Sequence, residues 1–130
     1  MMIVFDIPGE PPRTTAQQAR SGTKNGRHYH YKPKKLKEAE AHLIAGMLPY
    51  SPDEPLEGAI ELYVDWRFKA GKGRKPGEAK ITRPDTDNLQ KLLKDCLTQC
   101  GFWYDDAQVY FEQVMKCWSD KPGIHIEIQN

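Results

Sequence analysis

Ile60-Glu61-Leu62-Tyr63-Val64-Asp65-Trp66-Arg67-Phe68-Lys69 alternates apolar and polar side chains over its whole length. A period of two marks a strand with one buried face, so Ile60, Leu62, Val64, Trp66 and Phe68 should look into a core. Working outward, Ile3, Phe5 and Ile7 alternate with Val4 and Asp6 as a short first strand, which Pro8 through Pro12 ends. Leu36, Ala39, Leu43 and Met47 recur at helical spacing, predicting a helix from near Lys34 to about Leu48, after which Pro49, Pro52 and Pro55 punctuate a connection. A second helix is expected to start with Asp87 as its N-cap, to bury Leu89, Leu92, Leu93, Cys96 and Leu97, and to stop at Gly101. Beyond it, Ala107, Val109 and Phe111 lead toward Trp118, Lys121-Pro122-Gly123 makes a turn, and Ile124, Ile126 and Ile128 form a last strand. The short turn predicts an antiparallel hairpin for this final pair. The order is roughly β-α-β-α-β-β, a small single-domain α+β fold: a mixed sheet with two main helices packed on it.

The chain has 130 residues, enough for one core, and no repeat or domain boundary divides residues 1–130. A core this small makes oligomerisation a reasonable expectation. No stretch approaches the ~20 apolar residues of a membrane span. Met1-Met2-Ile3-Val4-Phe5-Asp6 lacks the basic start and long apolar run of a signal peptide, so the cytoplasm is the expected compartment. Three cysteines cannot all pair within one chain, which suits a reducing environment. Cys96 and Cys100 are spaced to share a helix face, but no second ligand pair at zinc-finger spacing accompanies them, and buried thiols are expected. Trp66, Trp103 and Trp118 read as core or dimer contacts. No P-loop, dinucleotide fingerprint or Gly-x-Ser-x-Gly occurs, so no small-molecule cofactor is expected.

A net charge of +1 conceals segregated charge. Arg13, Arg20, Lys24, Arg27, Lys32, Lys34, Lys35 and Lys37 follow one another with no acidic residue between them. Arg67, Lys69, Lys72, Arg74, Lys75, Lys80 and Arg83 are opposed only by Glu78. Such blocks attract polyanions, nucleic-acid phosphates above all. Arg13, Arg20, Lys24, Arg27, Lys32, Lys72, Arg74, Lys75 and Arg83 are the candidate DNA contacts, carried on basic loops over about 13–33 and 70–82. Tyr29 and Tyr31 alternate with His28 and His30 as a short extended piece at the end of the first loop, and His28-Tyr29-His30 fits a phosphate or base contact better than a metal site.

Against this basic background stand two tight acidic pairs, Asp85 with Asp87 and Asp105 with Asp106, joined by the helix that carries Lys91. Like charges so close are tolerable when solvated, partly protonated or neutralised by a cation. A hard divalent ion held by carboxylates beside phosphate oxygens is the apt neutraliser, and it is the core of many phosphodiester-cleaving sites. Each residue also has a plainer account. Asp87 can be a helix cap, Asp105-Asp106 a polar turn, Asn88 a helix-start residue, and Lys91 a surface partner of Asp87 or Asp95.

Arg83-Pro84-Asp85-Thr86-Asp87-Asn88-Leu89-Gln90-Lys91, followed by Gly101-Phe102-Trp103-Tyr104-Asp105-Asp106-Ala107-Gln108-Val109, resembles the RusA family of Holliday junction resolvases. The likeness is strongest from Arg83 to Val109. It extends more loosely to the N-terminal strand with its Pro-Gly-Glu-Pro-Pro end and to the basic loop before the first helix. The resemblance implies a homodimeric, Mg2+-dependent endodeoxyribonuclease, with Mn2+ able to substitute, that cuts four-way DNA junctions by paired symmetric nicks in recombination and repair. Carried over by motif position, Asp85, Asp87 and Asp106 are its metal-binding carboxylates, with Asp105 a further candidate, and Lys91 is its catalytic lysine. Small resolvases of this kind are often associated with phages or prophages. Folding is expected to gather the three carboxylates into one pocket. A catalytically silent binder of branched DNA, or a metal-dependent nuclease of flaps, duplex or RNA, fits the same composition.

Overall fold

The structure is a computed structural model that describes the backbone of residues 1–15, 20–24 and 26–130, and the side chains of 1–15, 26 and 31–130. Strand β1 is Met2–Pro8, β2 Arg20–Lys24, β3 Arg27–Tyr31, helix α1 Lys34–Met47, β4 Ile60–Lys69, α2 Thr86–Gln99, β5 Val109–Ser119 and β6 Gly123–Gln129. The main sheet has the order β1-β6-β4-β5, with β4 and β5 parallel and the other neighbours antiparallel. This is the expected α+β domain with a mixed sheet and two helices. Among the described residues, no helix is long and apolar enough to cross a membrane.

Strand β4 behaves as its alternation demands: Ile60, Leu62, Val64, Trp66 and Phe68 are all buried. They meet Ile124, Ile126 and Ile128 of β6, Phe5 and Ile7 of β1, and the apolar stripes of both helices. Helix α1 comes so close to β1 at Gly46 that a Cβ there would lie 2.6 Å from Ile7 Cγ2. The opposite face of the sheet, with Tyr63, Asp65 and Glu127, is only partly covered.

Three expectations need correction. Strands β5 and β6 are not a hairpin, because β4 lies between them. The turn between them crosses the end of β4, where Ala70 N donates to Ser119 O at 2.8 Å and Lys69 Nζ to Asp120 O at 3.0 Å. Alternation reports which way a strand faces and is silent about its neighbours. Helix α2 starts earlier than expected: Asp85, in extended conformation, occupies the N-cap, and its side chain caps nothing. The basic segment before α1 is not all loop but contains the antiparallel β2–β3 ladder, with Ser21 opposite His30; only its second strand matches the short extended piece expected at Tyr29 and Tyr31.

A polar chain through the core seats α2 on the sheet. Trp66 Nε1 donates to Gln90 Oε1 at 2.6 Å, Gln90 Nε2 donates to Glu112 Oε2 at 2.7 Å, and Lys94 Nζ lies 3.2 Å from Glu112 Oε1. Gln90 and Trp66 are buried, so losing Gln90 strands the indole N–H without a partner. Gln90→Leu is therefore expected to cost about 2 kcal/mol in urea unfolding. An unchanged midpoint would show that packing alone positions the helix.

Candidate active site

At its N-terminal end, α2 presents Asp85 and Asp87 to solvent, and neither side chain has a hydrogen bond or ion pair with any described residue. Asp87 lies in the first turn, where the helix dipole favours negative charge. Lys91 follows one turn along on an exposed position and pairs with neither Asp87 nor Asp95 among the described residues. Two carboxylates and an ammonium thus share one helix end, all three uncommitted among the described residues.

The two basic blocks meet beside this end. Arg13 stacks its guanidinium over Phe68 at 5.4 Å, Arg74 stands over Trp118 at 5.4 Å, and the buried Lys80 ammonium sits 5.0 and 4.6 Å from the same two rings. Phe68 and Trp118 are register partners on β4 and β5. Cations distant in sequence therefore converge on one aromatic pair at the end of the parallel strands. Lys72, Lys75 and Arg83 are exposed in the same block. Arg13 also pairs with Glu10 at 3.0 Å. The side chains of Arg20, Lys24 and Arg27, with those of His28, Tyr29 and His30, lie outside the described residues.

The second acidic pair sits elsewhere. After Gly101, at φ +76°, the chain folds back on the end of α2: Phe102 N donates to Leu97 O at 3.1 Å and Trp103 Nε1 to Thr98 Oγ1 at 2.7 Å. Asp105 Oδ1 then accepts from Ala107 N at 2.9 Å as the cap of a short 3-10 turn, Asp106–Gln108. Gln108 locks this turn from both sides. Its Oε1 accepts from Tyr104 N and Asp105 N, and its Nε2 donates to Leu56 O and Gly58 O. Asp106 is exposed, and its side chain makes no such bond with any described residue. With Asp105, Glu40, Asp95 and Lys32 it lines an open cavity of about 430 Å³. Lys32 is held there by Glu40 at 3.0 Å.

The structure brings Asp85, Asp87 and Lys91 together and does not bring Asp106 to them. Helix α2 is about 20 Å long, and the two acidic pairs lie at its opposite ends. Among the described residues, no three potential ligands are gathered as a metal site. The expected single pocket does not form within one chain, because the reversal at Gly101 returns the chain to the end of the helix it has just left.

The cysteines take no part. Burial pushes the Cys96 thiol up to about 12, with Glu40 next in importance, and burial also raises Cys100 and Cys117. All three are free, and the raised pKa keeps each as the less nucleophilic thiol rather than the thiolate. Sequence reasoning missed Lys80, Lys116, Gln90 and Gln108. Lys116 carried one signal, since it falls on the inward-facing set Glu112, Val114, Lys116, Trp118 of β5.

The two adjacent aspartates should separate by function. Asp105→Ala is expected to lower stability by about 1 kcal/mol through loss of the cap. Asp106→Ala should change it by less than about 0.5 kcal/mol, as for an exposed residue without partners. Thermal unfolding reads both, and equal losses would contradict this division of roles.

Residues 8–129 match the family model described as endodeoxyribonuclease RusA. The chain is 31% identical over 88 residues to the crossover junction endodeoxyribonuclease rusA of Lactococcus phage r1t, covering 66% of this chain and 67% of that one. It is 54% identical over 41 residues to the crossover junction endodeoxyribonuclease RusA of Escherichia coli strain K12, 32% of this chain and 34% of that one. The same figures hold for the protein of that name from Enterobacteria phage 82. The matches thus span about two thirds of the first relative and about one third of the others. A family match across nearly the whole chain is decisive: the protein belongs to the RusA endodeoxyribonuclease family.

Proposed function

We propose that this protein is a homodimeric, Mg2+-dependent endodeoxyribonuclease that resolves four-way DNA junctions by paired nicks, acting in the cytoplasm. The observation that carries the reading is the open pair Asp85 and Asp87, with Lys91, beside converged cations, in a chain of this family. Unpaired carboxylate oxygens are hard donors, the type Mg2+ prefers, so the residues present fit the ion. Their repulsion of a phosphate also makes little sense without a cation between them.

Asp85 and Asp87 would hold the ion at the helix end. Asp106 cannot join them in the same chain, since the length of α2 intervenes, so the third carboxylate comes from the second copy of a symmetric dimer. A bound divalent ion supplies charge neutralisation at the phosphate and a more acidic water. The chain's own groups do the rest. Lys91, free of any carboxylate partner among the described residues, offers its ammonium to the negative charge that grows on the phosphate oxygens. Arg13, Arg74 and their exposed neighbours Lys72, Lys75 and Arg83 grip backbone phosphates, which favours recognition of shape over base sequence. Two-fold symmetry presents two equivalent sites to a nearly symmetric four-armed substrate, one for each strand cut.

Side-by-side digestion of labelled four-way junction, flap, duplex and RNA, in Mg2+ or EDTA, tests the reading. Junctions are expected to be nicked in symmetric pairs in Mg2+ and left intact in EDTA. Binding without cutting, or a preference for flaps, duplex or RNA, would overturn it. Asp85→Asn, Asp87→Asn and Asp106→Asn are each expected to slow cutting by roughly 10²-fold or more with junction affinity kept. Lys91→Ala should lower the cleavage rate by about 10²-fold and hardly alter binding. An equal loss of both would recast Lys91 as a DNA clamp.

A further inference from the structure

Two lysines grip the segment that leads into Asp85. Lys80 Nζ donates to Thr82 Oγ1 and, at 2.7 Å, to the Arg83 carbonyl. Lys116 Nζ donates to the Thr82 carbonyl at 2.7 Å and to the Pro84 carbonyl at 2.8 Å. The successive carbonyls of Thr82, Arg83 and Pro84 therefore all end on ammonium groups. Asp85 is the next residue. Lys116 stands on β5 opposite Trp66 of β4, and Lys80 N donates to Lys116 O at 3.2 Å, so the grip ties the approach to Asp85 to the sheet itself.

Lys80 is an expensive choice for a merely structural post. It is 3% exposed and has no ion pair among the described residues. Burial lowers its pKa first, and the positive charges of Arg13, Lys116 and Arg74 lower it further, against a smaller opposing effect of Glu10. A lysine with a lowered pKa binds its proton less readily in the folded chain than in the unfolded one. At neutral pH its charge therefore works against folding. An apolar side chain of similar length would fill the same space between Phe68 and Trp118 without that cost. What such a side chain cannot do is hold the Arg83 carbonyl and Thr82 hydroxyl.

We propose that Lys80 and Lys116 are positioning residues, a paired clamp on the Thr82–Pro84 backbone that sets the direction of Asp85 relative to Asp87. The proposal rests on the nuclease reading of those two aspartates. Asp87 is fixed by α2, whereas Asp85 precedes the first helical residue and is held on both sides, by its carbonyl, which accepts from Leu89 N at 3.1 Å, and by the clamped segment before it. Two carboxylates serving one ion need a common geometry, and a displacement of about 1 Å in such a group can cost up to 10²-fold in rate.

Lys80→Met and Lys116→Met in the full chain test this. The expected result is a single-turnover cleavage rate in Mg2+ lowered by roughly 10- to 100-fold, with faster amide hydrogen exchange over residues 81–87. Junction affinity of Lys80→Met should stay near that of the unaltered protein, because the buried ammonium cannot reach a phosphate, and its Tm should be equal or higher. Lys116→Arg, which keeps donors for the carbonyls, should recover part of the lost rate. Unaltered cleavage in both Met variants overturns the clamp. So does a rate loss that tracks a fall in Tm or in junction affinity, or that Lys116→Arg leaves unrelieved. If the unaltered protein cuts no junction, the nuclease reading alone fails. The exchange measurement then still decides whether the two lysines hold the segment, and unchanged exchange over 81–87 sinks that claim.

Discussion

Helix α2 is a rigid spacer, and the layout of the molecule follows from how it is fastened. The bonds from Trp66 through Gln90 to Glu112 fix its rotation on the sheet, while Leu89, Leu92, Leu93 and Leu97 bury its apolar stripe. A hydrogen-bonded helix cannot be shortened, so groups at its ends stay about 20 Å apart along the axis. Asp85 and Asp87 sit at one end. The turn carrying Asp106, tied down by Gln108 and by the Trp103 indole, sits at the other. Neither end can yield without breaking several hydrogen bonds at once. On the proposed reading, a complete set of carboxylates is therefore a property of two chains, and the monomer should be inert toward phosphodiesters.

Charge placement follows the same division. The N-terminal end of α2 combines uncommitted carboxylates with cations drawn together by Phe68 and Trp118. The far end is acidic, with Glu40, Asp95, Asp105 and Asp106 around an open cavity, and Lys32 there is already neutralised. The converged cations thus lie toward the first end, whereas carboxylates dominate the second. A symmetric pair of chains that laid one end against the other would place the repelling carboxylate beside the gripping cations, an arrangement made acceptable by a divalent ion.

The fold was legible because its signals were local and redundant. The ten alternating residues from Ile60 announced a buried central strand, and Leu89, Leu92, Leu93 and Leu97 announced a helix face. Strand neighbours were not legible. Nothing in the alternation of β5 and β6 says that β4 inserts between them, and a short turn argued for the opposite. Of the β2–β3 ladder only β3 was legible, through the alternation of Tyr29 and Tyr31 with His28 and His30, because β2 carries no apolar alternation. At the site, the residue types and their spacing were readable, as was the shared helix end of Asp85, Asp87 and Lys91. The distance to Asp106 was not, since it depends on whether the chain leaving Gly101 runs back along α2 or stops at its tip. The cap role of Asp105 and the lysine grip on Thr82–Pro84 depend on tertiary hydrogen bonds, which a linear pattern does not carry.

The sharpest test of a site shared between chains is complementation in mixed dimers. Asp85→Asn protein and Asp106→Asn protein should each be inert alone. Co-refolded, they form some dimers with one site that lacks both carboxylates and one site that lacks neither. Mg2+-dependent nicking of a four-way junction should then reappear, one strand per binding event and without the paired second cut. If mixed dimers form and remain as inert as their parents, all the carboxylates of a site belong to one chain, and the shared-site arrangement is wrong.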